Sequence, residues 1–381
     1  MEKVAVFIKK YSIGKSSPVI CLLDMLSDNF QVDLFLEEVW YTNATVLKKK
    51  TINQIEPGER QGYTVWQKIT KKIGMYFGWD STKNSLRFSE NYKAYICFDP
   101  HGFILCKELF PDARAFYYSL ELCFVNDHFN MDYPEEIMRK EREEINTVRG
   151  LIIQSHEREL LFRKDYNLSN QVPALILPVT YLQPSVKEKS PLLRDKFKIG
   201  EDKKIALHLG GIQEYFSCIE LALAFSQIDD WVLVFHGYYF GDYIEKLRTT
   251  LEQKSIKNVF ISDEAYEQIE AMDPLLMSCD IGIAWYNNVS LNFSTAGKSS
   301  GKISSYLRFG LPVIAKKYKS TAEAIEETGC GLCVDDFDEI KDAVSKIKMN
   351  YEYYSDNCRK EYDKVYWFEN YKAGILEFLE N

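Results

Sequence analysis

The residues of this chain best suited to chemistry lie in one short stretch, Ser299-Ser-Gly-Lys-Ile-Ser-Ser-Tyr-Leu-Arg-Phe-Gly-Leu-Pro-Val-Ile-Ala315. Its small, polar opening reads as a loop running into a helix of about two turns, which Gly310 stops before a buried strand. The backbone N–H groups of Ser300, Gly301 and Lys302 would then stand at the helix N-terminus without intrahelical acceptors. Such a place suits a phosphate, because the N–H groups and the helix dipole both favour an anion and Lys302 adds a point charge. An ordinary capped helix with a surface lysine fits the same residues. A second place is Asp99-Pro-His-Gly102, which follows a predicted strand. At a strand end His101 could donate or accept a proton, and it could equally be structural.

Three other signals carry less. Cys330-Gly-Leu-Cys333 has the spacing of a metal or redox pair, but no second pair or nearby histidine completes a zinc site. Asp336-Phe-Asp338 precedes a helix near Glu339 and reads as its N-cap and first-turn acid. In Ala296-Gly-Lys-Ser-Ser-Gly-Lys302 the spacing of a nucleotide-binding P-loop fails.

The elements that must position these residues alternate along the chain. Short apolar runs at 4–8, 32–36, 94–98, 113–118, 151–153 and 174–177 read as strands separated by helical segments. The first strand is followed by a turn with Gly14 and Pro18 and an apolar-periodic run from Val19 to Leu26. A polar, proline-containing stretch at 183–196 reads as a linker. Alternation then resumes with strands at 204–209, 231–236, 258–261, 281–285 and 312–315, and helices at 217–228, 241–254, 265–278 and 301–309. A further helix begins near Glu339, and an aromatic, charged segment fills 351–379. Two α/β halves with mostly parallel sheets follow, and ligands of such halves sit beyond the carboxyl ends of the strands.

Composition narrows the classes. The 381 residues are comfortable for two domains, and their 46% apolar and 27% charged content is that of a soluble globular protein. A net charge of −9 argues against a general nucleic-acid binder. No uncharged apolar run is long enough to span a membrane, and the first residues are too short and charged for a secretory signal. Nine scattered cysteines suggest free thiols in a reducing cytoplasm. The 25 Tyr and 23 Phe form an aromatic load that the fold must accommodate.

The segment from Gly301 to Ala315 resembles the C-domain signature of GT-B glycosyltransferases, in particular their retaining, family-four-like group. Further ordered likenesses are Ile205-Ala-Leu-His-Leu-Gly-Gly-Ile212, Val232-Leu-Val-Phe-His-Gly237, Met277-Ser-Cys-Asp-Ile-Gly-Ile283, and Ile153-Gln-Ser-His-Glu-Arg158 followed by Leu177-Pro-Val. The resemblance spans almost the whole chain. It implies two Rossmann-like domains facing each other across a cleft: 1–190 on the acceptor side, 191–360 holding a nucleotide sugar, and 361–381 as a helix crossing back to the first. Gly210 and Gly211 would bring backbone close to the donor diphosphate, since no Cβ blocks the approach. Gly14 would face the diphosphate from the opposite domain, and Ser300, Gly301, Lys302, Ser304 and Ser305 would line the donor site. Lys302 would neutralise charge on the leaving group. His101 and Glu121, a strand-end glutamate in Tyr118-Ser-Leu-Glu-Leu, would serve the acceptor, although a buried structural carboxylate also fits Glu121.

Two departures stand out. The family often carries glutamates where this chain has Gly297 and Ser305, and the basic residue common after the Gly-Gly turn is missing from Gln213-Glu-Tyr-Phe-Ser217. The implied activity is transfer of a sugar from a UDP- or GDP-type nucleotide sugar to a glycan or lipid-linked acceptor, retaining and without metal or other cofactor. Base recognition would involve the loop from Ser262 to Tyr266. A degenerate binding subunit and, more remotely, a sugar-nucleotide epimerase are the alternatives; only five histidines disfavour the latter. In 65–79, Trp66, Ile69, Ile73 and Phe77 recur at helical spacing opposite Lys68, Lys71 and Lys72. That segment would either pack on the first domain or lie on the inner face of a membrane, where a lipid-linked acceptor is met.

Overall fold

The computed structural model describes residues 1–40, 42–57, 91–124, 134–239, 241–262 and 269–380. The segment at 65–79 and most of the loop expected to read the base lie outside these residues. Two parallel sheets organise the chain. The first contains β1 (Lys3–Lys9), β2 (Gln31–Glu37), β3 (Ile52–Ile55), β4 (Ala94–Phe98), β5 (Phe116–Tyr118), β6 (Gly150–Ile153) and β7 (Ala174–Ile176), in the order β3-β2-β1-β4-β5-β6-β7. The second contains β8 (Lys204–Leu209), β9 (Trp231–His236), β10 (Val259–Ser262), β11 (Ile281–Ala284), β12 (Val313–Lys316) and β13 (Gly331–Val334), in the order β10-β9-β8-β11-β12-β13. Helices of eight residues or more cover the sheets: α1 (Ser17–Asn29), α2 (Asp99–Leu109), α3 (Glu135–Glu144) and α4 (His156–Tyr166) in the first half, then α5 (Cys218–Phe225), α6 (Tyr243–Gln253), α7 (Gly301–Arg308), α8 (Ile340–Met349), α9 (Tyr351–Glu361) and α10 (Lys372–Glu380).

Both sheets reverse their strand order once, between β1 and β4 and between β8 and β11. A crevice opens at such a reversal, because the connections on either side leave in opposite directions. The loops that flank the two crevices carry Gly14 after β1, Asp99 and His101 after β4, and Gly210 and Gly211 after β8. Topology alone therefore gathers the chemically interesting residues at the carboxyl edges of the two sheets.

Sequence and structure differ at two edge strands, one shortened inner strand and one helix. The predicted strand at 113–118 shrinks to β5, since the N–H of Ala113 closes a turn on Phe110. Strand β3, Ile-Asn-Gln-Ile, is too short and polar to stand out, and it buries little beyond Ile52. Strand β13 contains Cys333 of the Cys-Gly-Leu-Cys motif. Gly331 opens it because a Cβ there would lie 1.9 Å from the Val313 carbonyl oxygen of the neighbouring strand. The helix expected at 265–278 is, within the described residues, a 3-10 turn Ile269–Met272 and a short helix Asp273–Met277. Asp336 caps the turn before α8 as expected, its carboxylate accepting from the Phe337 N–H.

The chain ends by crossing back. After α9 a π-turn, Tyr362–Tyr366, leads to α10, whose Ile375 and Leu379 join Phe368 in the core of the first half. Each such buried side chain contributes about 1.5–3 kcal/mol, which holds the crossing in place. Among the described residues no helix is long and apolar enough to cross a membrane.

Two glycines test this packing. Gly237, at φ 154°, has no room for a Cβ, which would stand 1.7 Å from the Gly210 carbonyl oxygen. Gly237→Ala should therefore destabilise the second half by roughly 3 kcal/mol or more in urea unfolding. Gly374 in α10 has nothing within 4 Å of a built Cβ, so Gly374→Ala should stabilise by about 0.5–1 kcal/mol in the same measurement.

Candidate functional site

On the second sheet the site is built around Lys302. Its Nζ is buried and has no hydrogen-bond partner. It sits 4.3 Å from the ring centroid of Phe216 and 4.9 Å from that of Tyr286, close enough for the rings to attract an ammonium. Burial pushes its pKa down to about 7, because the charged form has lost water and gained no carboxylate. The Gly-Gly turn closes one side. Gly210 has φ 117°, and a methyl group there would be 3.5 Å from Lys302 Cε and 3.8 Å from Nζ. Gly211 leaves room for Phe216, whose Cε2 would be 2.9 Å from a Cβ. His208, buried in β8, lies with Nε2 3.1 Å from the Gly211 carbonyl oxygen. Burial, reinforced by Lys302, holds its pKa well below the usual value, so the neutral ring donates Nε2–H to that carbonyl.

Helix α7 starts at this lysine. Ser300 is its N-cap, with Oγ accepting from the Ile303 N–H at 3.1 Å and paired with the Tyr286 hydroxyl. The cap leaves the first N–H groups of the helix without intrahelical acceptors. Of the expected donor residues, Gly210, Gly211, Ser300, Gly301 and Lys302 thus converge. The serines beyond them face elsewhere. Ser304 donates its hydroxyl to the carbonyls of Ser300 and Gly301. Ser305 pairs with the Tyr181 hydroxyl at 2.5 Å, beside the strap that joins the two halves. At Gly297, one of the positions where relatives often have glutamate, a Cβ would lie 2.1 Å from the Ser320 carbonyl oxygen. No side chain fits there.

On the first sheet Gly14 is buried in a 3-10 turn, Ile13–Lys15, tied to the next loop by Ile13 N–H to Trp40 O at 3.1 Å and Trp40 N–H to Tyr11 O at 2.8 Å. His101 is buried in the first turn of α2, and Glu121 is exposed in the loop after β5, which removes the reading of Glu121 as a buried structural carboxylate. Gly102 lets α2 lie against β1, since its Cβ would be 2.5 Å from the Phe7 carbonyl oxygen.

Asp99 was not singled out by its sequence context, yet the structure gives it the most unusual position. It has φ 53°, is 2% exposed, and its Oδ1 accepts from the N–H groups of Leu120 at 2.7 Å and Glu121 at 3.1 Å. Its Oδ2 is buried without a partner. Burial pushes its pKa up to about 7, Glu121 adds to the shift, and the two N–H groups and Arg158 oppose it. Burial also raises the pKa of the Tyr11 hydroxyl, with further contributions from Asp99 and Glu121. Burial raises the proton affinity of Tyr286 in the second half, and Glu121 adds to it. The signal for Asp99 was its place directly after a strand with Pro100 behind it, which fixes a helix start. The signal for His208 was its place two residues before Gly210.

Residues 249–366, which include α7 and β11 to β13, match the family described as Glucosyltransferase 3-like, C-terminal domain. No curated protein sequence matches the chain. Solved structures match it along its length. Sucrose-phosphate synthase from Thermosynechococcus elongatus is 12% identical with a TM-score of 0.70, over 99% of this chain and 98% of that one. HepE from Anabaena, solved in complex with UDP and glucose, is 12% identical with a TM-score of 0.69, over 100% and 99%. WaaG, a glycosyltransferase involved in lipopolysaccharide biosynthesis, is 12% identical with a TM-score of 0.62, over 99% of each chain. The chain has the GT-B fold. The paired sheets, the cleft between their carboxyl edges and the returning C-terminal helix are the features of that fold.

The buried lysine of this GT-B chain has a stability consequence. Its pKa is lower in the folded protein than the ordinary 10.5, so the unfolded chain binds more protons between about pH 7 and pH 10.5. Lys302 is therefore most costly to stability at and below pH 7, and the cost fades as pH rises towards 10.5. Lys302→Met should stabilise the ligand-free protein by about 1–3 kcal/mol at pH 7, with the gain shrinking by pH 10 in parallel unfolding curves.

Proposed function

We propose that the chain is a glycosyltransferase that moves a sugar from a nucleotide-diphosphate sugar to an acceptor, with the donor on the second sheet and the acceptor on the first. The observation that carries this reading is the buried, partnerless Nζ of Lys302 between the Gly210 turn and the start of α7. A diphosphate against that surface would meet glycine backbone, the free N–H groups of the helix and one ammonium. It would restore to the lysine the counter-charge that burial removed. As the bond from sugar to diphosphate breaks, negative charge grows on the leaving oxygens, and preoriented N–H groups and Lys302 stabilise that charge most strongly where it is greatest.

On the other wall Asp99, His101, Glu121 and Tyr11 would receive the acceptor hydroxyl. Glu121 is exposed, and burial lifts the Asp99 carboxyl to about 7, so either could take a hydroxyl proton. Retention of configuration and independence from metal come to this reading from the resemblance. HepE, solved with UDP-glucose, and the E. coli protein bound with UDP-2-fluoro glucose support a uridine donor; a GDP-sugar is the alternative in the same chemical class. A glycan or lipid-linked acceptor completes the reaction, the latter placing the enzyme at the inner face of a membrane. A binding subunit without transfer activity is favoured by Gly297 and Ser305, whose positions serve packing and a tyrosine contact, and by the absence of a basic residue from Gln213-Glu-Tyr-Phe-Ser217.

A thermal-shift panel decides the donor. UDP- or GDP-sugars should raise the melting temperature while adenine dinucleotides leave it unchanged, and the reverse pattern would sink the donor assignment. Product analysis with the best binder then separates transfer or slow hydrolysis from binding alone. Phosphate binding should raise the pKa of Lys302 from about 7. UDP affinity should accordingly fall by up to about tenfold per pH unit as pH rises above 7, with proton uptake at pH 8 in calorimetry across buffers of different ionisation enthalpy. Lys302→Met should remove both the pH dependence and most of the affinity.

A further inference from the structure

Arg158 is the third residue of α4, and its backbone N–H is taken by the N-cap Ser155 Oγ at 3.2 Å. Its side chain leaves the first half of the molecule. One guanidinium nitrogen donates to Ser299 Oγ at 2.7 Å. The other donates to Asn292 Oδ1 at 2.9 Å and to the Leu120 carbonyl at 2.9 Å. Asn292 in turn spans the same boundary, accepting from the Leu122 N–H at 2.8 Å and donating to the Leu122 carbonyl at 3.1 Å. Ser299 immediately precedes the N-cap of α7, and its hydroxyl also donates to the Thr295 carbonyl at 3.1 Å.

The economy of this contact is unusual. Arg158 is 1% exposed, its Nε has no partner, and among the described residues its guanidinium is hydrogen-bonded only to uncharged oxygens, with Glu121 and Asp99 acting on it as charges but not as hydrogen-bond partners. A buried charge held that way is destabilising compared with apolar packing of the same volume. Simple adhesion between the halves would be better served by a methionine. What a planar fork supplies instead is fixed geometry at two acceptors on the second half.

We propose that Arg158 is a positioning residue for the donor site: its guanidinium fastens residues 292–299 to the acceptor-side half and so sets the backbone that leads into α7 and Lys302. This rests on the donor reading given above. It follows that the phosphate-binding end of α7 is completed by the opposite half of the molecule, and that the first half influences donor affinity without touching the donor.

The test is isothermal titration of the full chain with UDP, comparing wild type, Arg158→Met, Arg158→Lys, Ser299→Ala and the double variant Arg158→Met/Ser299→Ala. Arg158→Met should weaken UDP binding about tenfold while the ligand-free melting temperature stays equal or rises. Arg158→Lys should recover little, because a single ammonium cannot hold both acceptors. Ser299→Ala should weaken binding several-fold, and the double variant should be no weaker than Arg158→Met alone. Ser299→Ala keeps the question answerable if Arg158→Met does not fold. Unchanged UDP affinity in the Arg158 variants, or fully additive losses in the double variant, would overturn the proposal while leaving the donor reading intact. No UDP or GDP binding by the wild-type protein would overturn the donor reading and this proposal with it.

Discussion

Lys302 keeps its ammonium nitrogen among aromatic rings, away from water and away from any carboxylate among the described residues. That is an expensive arrangement for a charge, and much of the surrounding sequence is what makes it attainable. Gly210 leaves the space beside Nζ, and Gly237 lets the next loop approach the Gly210 carbonyl. Gly211 admits Phe216, and Phe216 stacks on Phe293 at 5.4 Å. His208 holds the Gly211 carbonyl in its neutral form, and the Tyr286 hydroxyl meets the Ser300 cap. These contacts hold one desolvated ammonium at the carboxyl edge of the second sheet, in a chain whose overall charge is −9.

The aromatic load takes on a physical meaning in the same terms. Part of it is ordinary core, as in the stacked pair Phe7 and Phe35 at 4.8 Å and the rings of Tyr92 and Phe110 packed edge-on around them. Another part handles buried polarity. Tyr117 and Tyr166 both donate to the fully buried Glu141, and burial still pushes that carboxyl up to about 8. Tyr306 reaches through the second core to accept from the Leu209 N–H and donate to the Leu207 carbonyl, both at 2.8 Å. A tyrosine carries a large apolar body and one polar tip, so it can seal a core while satisfying a stranded backbone group. The tyrosines are therefore fixtures of the scaffold as much as surfaces for a ligand.

How much of this was legible beforehand follows from how local each feature is. Strands β4, β8 and β9 match the sequence reading residue for residue because they are central, apolar on both faces and bounded by glycine or charge. Lys302 and the Gly210 turn were legible because glycine spacing and a polar helix start are local signals. The edge strands β3 and β13 were not: each is only four residues long, β3 carries Asn53 and Gln54 at its centre, and β13 opens on Gly331. Asp99, His208 and Arg158 were not legible either. A lone Asp, His or Arg in a strand end or a helix says nothing of itself until tertiary structure strips its solvent away and leaves one polar atom without a partner. The pairing of Ser305 belongs to the same class, because Tyr181, its partner, lies 124 residues upstream.

That strap bears on how the two halves act together. Tyr181 pairs its backbone with Tyr366 and Phe368 of the returning chain, and its hydroxyl reaches Gly301 O and Ser305 on α7. Further along, the Tyr362 hydroxyl donates to the Gln183 carbonyl, Ser185 is held by Asp363, and the Val186 N–H donates to the Arg308 carbonyl at the far end of α7. Arg308 itself donates to the Pro184 carbonyl and sets one guanidinium nitrogen against both carboxylate oxygens of Asp273. The outgoing chain thus lies along the whole of α7, clamped from outside by the returning one. A helix gripped along one flank by both crossings is fixed to both of them, because packed side chains transmit displacement rather than absorb it. The helix that presents Lys302 is thus also the element that both crossings grip, so the linkage between the halves and the placement of a buried, partnerless lysine ammonium rest on one helix.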